Sequence, residues 1–296
     1  MELLDGRATS EKIKIQLKSK VDQLLAEGHP KPHLAAVLVG EDGASLTYVN
    51  AKVKACKKIG FDSTLIQLPQ DCSEKELLQK VDQLNKDDNI DGFIVQLPLP
   101  PHINEKKITL AISPKKDVDG FHPENIGRMS LGLPCFLPAT PNGVMELLKE
   151  YQIPTEGKNC VIIGRSSIVG TPLSILLSRN SSPGNATVTL THSRTKKLAD
   201  FCRNADILIS AIGKAAFIKE NMIKKNAVII DVGINRIEDT SKKSGYRLAG
   251  DVDFNSVKEK AAFLTPVPGG VGPMTIASLL KNTFQAYENK IGMKGV

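Results

Sequence analysis

Between residues 163 and 168 the chain passes from a strand-like run to a helix-like one through Gly164-Arg165-Ser166, a junction that few folds can use. Asn159-Cys160-Val161-Ile162-Ile163 reads as a buried strand, and residues 168–177 read as the helix that follows. A glycine turn at such a place is where α/β folds hold phosphates. Unpaired backbone N–H groups and the helix dipole both favour an anion there. The pattern is GRSxxVG, carried by Gly164, Arg165, Ser166, Val169 and Gly170, rather than GxGxxG. The two glycines leave room for backbone, and Arg165 brings a positive charge into the turn. Taken alone, the stretch also fits an ordinary strand–turn–helix crossover.

The next strand narrows the reading. Residues 186–191 alternate as a strand and end in His192-Ser193-Arg194. In a dinucleotide fold an Asp or Glu at that strand end takes the ribose 2′-hydroxyl of NAD. No acid stands there. A hydroxyl and an arginine, with Arg165 nearby, suit the dianionic 2′-phosphate of NADP, because guanidinium grips phosphate through paired charged hydrogen bonds. The plainer alternative is a solvated polar loop. His192 invites a catalytic reading, but this strand end is the adenosine end of such a site. A structural or phosphate-contacting role suits it better.

Upstream, strand and helix patterns alternate. An apolar stripe at Ile13, Leu17, Val21 and Leu24 predicts a helix over 5–27, and residues 34–40 predict a buried strand. A helix over 44–58, a strand over 63–68, a helix opening with a capping box at Ser73 and Glu76, and a strand over 91–97 follow. This order predicts a parallel sheet wrapped by helices. The proline- and glycine-rich stretch 113–141 breaks the alternation and reads as the join between two domains, with Thr140-Pro141 capping a helix to about Glu150. Strands are predicted at 207–210 and 228–232. A loop over 266–273 then leads into a last helix, 274–290, that returns to the first domain. The fold class is therefore α/β with two domains: residues 1–139 and 274–296 form a parallel-sheet catalytic domain, and residues 140–273 an inserted Rossmann-type nucleotide domain.

Composition excludes other classes. The five cysteines, Cys56, Cys72, Cys135, Cys160 and Cys202, are odd in number and lack CxxC spacing, so they read as reduced thiols rather than a disulfide frame or zinc site. His29, His33, His102 and His122 show no metal-ligand spacing, and no metal is predicted. The net charge of +7 is spread along the chain and aromatics make up 4%, which does not fit a nucleic-acid-binding face. A mildly basic surface can attract an anionic substrate, though plain solubility explains it as well. The N-terminus lacks the basic and apolar regions of a signal peptide, and no apolar run approaches twenty residues, so no membrane span is predicted.

Three further stretches could carry chemistry. Ser45, Tyr48 and Lys52 share one face of the 44–58 helix, although a Tyr–Lys pair is common on solvated helices. Val95, Gln96 and Leu97 end an apolar strand and run into Pro98, at the carboxyl edge where open α/β sheets gather functional groups. Asp117-Val118-Asp119-Gly120 is either a site or merely an Asx-turn.

In order along the chain, YVNAK (48–52), VQLPLP (95–100), DVDG (117–120), GRSSIVG (164–170), HSRT (192–195) and PGGVGPMT (268–275) resemble the bifunctional methylenetetrahydrofolate dehydrogenase/cyclohydrolase family. The resemblance covers essentially the whole chain. It implies a cytoplasmic homodimer that oxidises 5,10-methylenetetrahydrofolate with NADP and hydrolyses the methenyl product to 10-formyltetrahydrofolate, a one-carbon donor for purine biosynthesis. It also implies roles. Lys52 is the general acid/base of hydrolysis, which needs a pKa lowered by burial or a nearby cation. Gln96 holds and tunes Lys52, Tyr48 packs on the pterin, and Asp119 accepts two N–H bonds from the folate amino-pyrimidinone edge. Ser45, Val95 and Leu97 border that pocket. Pro268, Gly269 and Gly270, followed by Gly272, close over the folate, and Ile234 lines the nicotinamide. Relatives that use NAD with magnesium and phosphate carry a different residue where Ser193 stands. The formate-ligase domain fused to some eukaryotic members is not expected within these 296 residues.

Two alternatives stand beside this one. Another NADP dehydrogenase, acting on a shikimate-like or other small acid, would keep the nucleotide unit but has no need of the first three motifs. A non-catalytic NADP- or folate-binding module would not need the amine of Lys52.

Overall fold

The structure, a computed structural model, describes residues 1–242 and 245–292. The chain opens with a short strand β1 (Glu2–Leu3) and a long helix α1 (Gly6–Ala26), whose stripe Ile13, Leu17, Val21 and Leu24 is buried. There follow β2 (His33–Val39), α2 (Gly43–Lys58), β3 (Asp62–Leu68), α3 (Glu74–Lys86), β4 (Gly92–Val95), α4 (Glu105–Ala111) and α5 (Pro123–Ser130). The second half contains α6 (Ala139–Glu150), β5 (Asn159–Ile163), α7 (Gly170–Ser178), β6 (Thr187–Thr191), α8 (Leu198–Arg203) and β7 (Ile207–Ser210). After a 3₁₀ turn at Glu220–Met222 come β8 (Val228–Asp231), β9 (Asn235–Glu238), β10 (Tyr246–Ala249), α9 (Phe254–Val257), β11 (Phe263–Leu264) and α10 (Val271–Lys290).

Two compact units result: residues 11–139 with 276–296, and residues 1–10 with 140–275. The first holds a three-stranded parallel sheet in the order β3-β2-β4. Its central strand β2 is almost wholly buried, as expected of a parallel strand covered on both faces, and its core includes Val37, Leu77, Val81, Phe93 and Ile108. The capping box at α3 is present: Glu76 N–H donates to Ser73 Oγ, and the Glu76 carboxylate accepts from Ser73 N–H at 2.7 Å.

The second unit holds a six-stranded parallel sheet in the order β1-β11-β8-β7-β5-β6. The chain runs from β5 outward to β6, then returns to β7 on the other side of β5. The carboxyl end of β5 is therefore the topological switch point, where doubly wound sheets bind ligands.

Several boundaries differ from the sequence reading for physical reasons. The first ten residues belong with the six-stranded sheet because Glu2–Leu3 pairs with Phe263–Leu264. The stretch 113–141, read as the join between domains, holds structure of its own. It carries α5, capped by His122 Nδ1 with Pro123 in its first turn, and Asp117 forms a bridge to Phe93. α6 begins at Ala139, so Thr140 and Pro141 lie inside its first turn, and Thr140 Oγ1 bonds Thr275 Oγ1 at 3.0 Å. α10 begins at Val271, which places Gly272 and Pro273 in its first turn, where a missing N–H costs no helix bond.

Candidate active site

Helix α2 starts beneath Asp42, whose carboxylate accepts from Ser45 N–H at 2.8 Å. From that start, helical spacing places Ser45, Tyr48 and Lys52 along one side. Ser45 is buried, Tyr48 is half-buried, and Lys52 is only 6% exposed. An ammonium withdrawn from water costs several kcal/mol unless it is paired, so what surrounds Nζ decides its state.

Gln96 supplies one partner. Just past β4, its N–H donates to Val37 O at 2.9 Å, which continues the ladder and fixes the backbone. Its side-chain Nε2 donates to Leu97 O at 2.7 Å, which turns Oε1 toward Lys52, and Oε1 accepts from Nζ at 3.0 Å. Val95 is buried and Leu97 half-buried beside it. Asp119 supplies the opposing charge. Burial pushes the Lys52 pKa down and the negative Asp119 pulls it partly back. Burial likewise raises the Asp119 carboxyl, with Lys52 opposing and Asp117 adding to the rise. Burial also raises the Tyr48 phenol.

The two acids of DVDG divide the work. Asp117 Oδ2 accepts from His122 N–H at 2.8 Å and Asn125 Nδ2 at 2.9 Å, so this carboxylate ties the turn together. The Asp119 carboxylate accepts no hydrogen bond from any described residue, while its backbone carbonyl accepts from Ala139 N–H at 3.2 Å. Gly120 completes the turn at φ +74°, and a Cβ there would lie 2.6 Å from the Leu137 carbonyl carbon. The structure thus brings Lys52, Gln96 and Asp119 together, with one carboxylate left open.

In the other unit, β5 and β6 pair in register with Ile163 opposite Thr191, so Arg165 and Ser193 lie at equivalent positions two residues beyond their strands. Both are exposed, and no ion pair among the described residues engages Arg165. The glycines are required by close approach. A Cβ on Gly170 would sit 1.8 Å from Gly164 O, and one on Gly164 would sit 2.3 Å from Ala211 O.

The helix N-terminus differs from the expectation of free amides. α7 starts at Gly170, and Ser166 Oγ accepts from Val169 N–H at 3.2 Å and Gly170 N–H at 3.5 Å. The unpartnered amides lie earlier, at Ser166, Ser167 and Ile168, beside the Arg165 side chain. That arrangement still fits an anion. His192 is tied into its own turn, donating its N–H to Thr195 Oγ1 at 2.9 Å and accepting from Arg194 N–H at Nδ1 at 3.1 Å. Ile234, between β8 and β9, presents an apolar side chain 41% exposed.

Pro268, Gly269, Gly270 and Gly272 belong to this second unit. Gly269 adopts φ +120° and its carbonyl accepts from Arg7 N–H at 3.0 Å, while Gly270 N–H donates to Pro266 O at 2.7 Å. Among the described residues no group of three or more His, Cys, Asp or Glu is placed to hold a metal. No helix among them is long and apolar enough to cross a membrane.

Two family models match. The tetrahydrofolate dehydrogenase/cyclohydrolase catalytic domain matches residues 4–119, and the NAD(P)-binding domain of the same family matches residues 138–291. The chain belongs to this family. It is 61% identical over 286 residues to a bifunctional protein FolD of Cytophaga hutchinsonii, covering 97% of this chain and 99% of the relative. It is 57% identical over 291 residues to that of Bacteroides thetaiotaomicron, covering 98% and 99%. Among solved structures, the bifunctional FolD enzyme of Campylobacter jejuni superposes with a TM-score of 0.91 at 48% identity, covering 98% of this chain and 99% of that one. The Trypanosoma brucei FolD, solved with NADP cofactor and an inhibitor, superposes with a TM-score of 0.93 at 38% identity, covering 97% of each chain. The family's catalytic model covers the Lys52, Gln96 and Asp119 cluster, and its NAD(P)-binding model covers the Arg165 and Ser193 strand ends.

The sequence reading passed over one pair of acids. Asp231 and Asp251 are buried in the nucleotide unit and gather backbone N–H groups from several loops. An acid closing the apolar run Val228-Ile229-Ile230 was the visible signal, but its partner lies twenty residues on, beyond a hairpin that was not predicted.

Proposed function

We propose that this chain oxidises 5,10-methylenetetrahydrofolate to the methenyl form with NADP and hydrolyses that product to 10-formyltetrahydrofolate. The observation that carries the reading is the Lys52 amine, buried and held by Gln96 at 3.0 Å, with the open carboxylate of Asp119 as its countercharge. NADP, when bound, supplies the hydride acceptor. Its 2′-phosphate is assigned to Arg165 and Ser193, its phosphate-bearing centre to the Gly164–Gly170 turn with Ser166 and Val169, and its nicotinamide to Ile234. His192 shapes the strand end beside Ser193.

Hydride loss leaves a resonance-stabilised cation, so that step needs no acid from the protein. Hydrolysis does need proton traffic. Water attacks the methenyl carbon, and neutral Lys52 takes one of its protons. The ammonium so formed then protonates the ring nitrogen as the C–N bond breaks. The remaining hydroxyl proton passes to solvent as the formyl C=O forms, the one net proton of the hydrolysis, and Lys52 is neutral again. A lysine does this only if its neutral form is accessible, and burial is what makes it so. Gln96 holds the amine by its carbonyl, so Nζ keeps its lone pair or its other protons for the reaction. The Asp119 carboxylate is free to accept the paired N–H groups of the pterin edge, and Tyr48 packs on its face, with Ser45, Val95 and Leu97 around it.

We further propose that the enzyme works as a cytoplasmic homodimer feeding purine biosynthesis, a reading supported by the resemblance of its motifs. Sedimentation velocity tests the dimer, which predicts a species of twice the 32.0 kDa chain mass. The activity is tested by absorbance with 5,10-methylenetetrahydrofolate and NADP. The proposal requires NADPH to accumulate and a methenyl intermediate to rise and decay. Failure of either signal removes the corresponding activity.

A further inference from the structure

Asp251 is fully buried, and its carboxylate meets five donors from separate segments. Oδ2 accepts from Ser210 Oγ at 3.1 Å, Ile212 N–H at 2.8 Å and Gly213 N–H at 3.3 Å. Oδ1 accepts from Lys214 N–H at 2.8 Å and Asn235 Nδ2 at 3.1 Å. Among the described residues no cationic side chain pairs with it. A buried carboxylate satisfied by three backbone N–H groups, a hydroxyl and an amide is a brace: each donor's direction is set by one small group of atoms.

Asp231 extends the brace. Its carboxylate accepts from Gly233 N–H at 3.0 Å, Asp251 N–H at 2.9 Å and Val252 N–H at 2.8 Å. Close packing leaves no slack. A Cβ on Gly233 would lie 2.2 Å from Asp251 Oδ1, and one on Gly250 would lie 1.8 Å from Asp231 Oδ2. The segments so held are 211–214 after β7 and 232–235 after β8, both at the carboxyl edge of the sheet. The 211–214 segment also packs on the glycine turn, since Ala211 O is the atom a Gly164 Cβ would strike.

A doubly wound sheet binds a dinucleotide across its switch point, one mononucleotide on each half. Arg165 and Ser193 lie on the β5–β6 half. The loops braced by Asp251 lie on the β7–β8 half and end in the exposed Ile234. We propose that Asp251 is a positioning residue that shapes the surface for the nicotinamide mononucleotide half of NADP, and so governs the dehydrogenase step alone. The proposal rests on the assignment of the 2′-phosphate to Arg165 and Ser193.

The test is Asp251→Asn. Both oxygens face backbone N–H groups, so either orientation of the amide sets an N–H against an N–H and displaces the loop. Affinities for NADP and for adenosine 2′,5′-bisphosphate, which contains only the adenosine half, are measured by calorimetry beside both activities. The expected result is at least about a tenfold loss of NADP affinity and of dehydrogenase kcat/KM. Adenosine 2′,5′-bisphosphate affinity and cyclohydrolase kcat should stay within about twofold of wild type. Equal weakening of both ligands, or unchanged NADP binding, overturns the proposal. If wild-type protein fails to bind adenosine 2′,5′-bisphosphate, the 2′-phosphate assignment has failed instead. Should Asp251→Asn not fold, Ser210→Ala removes one of the donors and must show the same split at about three- to fivefold. No split in that variant also overturns the proposal.

Discussion

Asp251 is buried and Asp119 half-buried, and their carboxylates meet opposite surroundings. Asp251 accepts from Ser210, Ile212, Gly213, Lys214 and Asn235, so its lone pairs are spent on the protein. The Asp119 carboxylate accepts from none of the described residues and lies in the field of Lys52 and Asp117. The same contrast divides DVDG itself, where Asp117 is bonded to His122 and Asn125 two residues before an open Asp119. Burial of an acid therefore does not mark a site. Unused hydrogen-bonding capacity on a half-buried acid does, because its lone pairs are left for a ligand.

The largest effect expected is at Lys52, the partner of the open acid. Lys52→Met keeps the stem and removes the amine, so cyclohydrolase activity should fall about 10²-fold or more while dehydrogenase activity survives better and methenyl product accumulates. Cyclohydrolysis at the wild-type rate would break the comparison at its open end. Asp119→Ala should weaken folate binding in both reactions by about ten- to a hundredfold and leave NADP affinity nearly unchanged. Normal folate affinity in that variant would reduce Asp119 to a turn residue.

Arg165→Ala should raise the KM for NADP by about ten- to a hundredfold and that for NAD far less, since the lost bond is to a charged group that NAD lacks. Equal losses would remove the 2′-phosphate assignment. The smallest effect is a control on the structural side. Ser73→Ala breaks the α3 capping box and should lower stability by roughly 1 kcal/mol in urea unfolding, with both kcat values unchanged.

Much of the frame was legible because it depends on local pattern. The apolar run of β2, the α1 stripe and the Ser73–Glu76 box each declare themselves within a few residues. β5 is found where its apolar run lies, and the strand ends that carry Arg165 and Ser193 follow from it. What escaped depends on partners far away in the chain. Two residues at Glu2–Leu3 carry no strand signal, and their place is set by pairing with Phe263–Leu264. The β9–β10 hairpin alternates half-buried and exposed residues, a weak pattern on a polar surface. In the site, the motifs named Lys52, Gln96 and Asp119, but only coordinates separate the bonded Asp117 from the open Asp119. α7 starts at Gly170, two residues later than the apolar pattern suggests, and Ser166 Oγ bonds the Val169 and Gly170 N–H groups ahead of it, a local competition that the GRS spelling does not reveal.

Burial, tempered by Asp119, brings the Lys52 amine to a state that can move protons. A ¹³Cε NMR titration of the lysines, with the Lys52 signal assigned by its loss in Lys52→Met, measures this directly. Free lysine titrates near ~10.4. Lys52 should titrate below that value, because desolvation disfavours its charged form. In Asp119→Asn it should fall further, since the negative charge that favours the ammonium is gone. A Lys52 signal that titrates at the free-lysine value, and does not move when Asp119 is neutralised, would show that burial does not set the state of the amine.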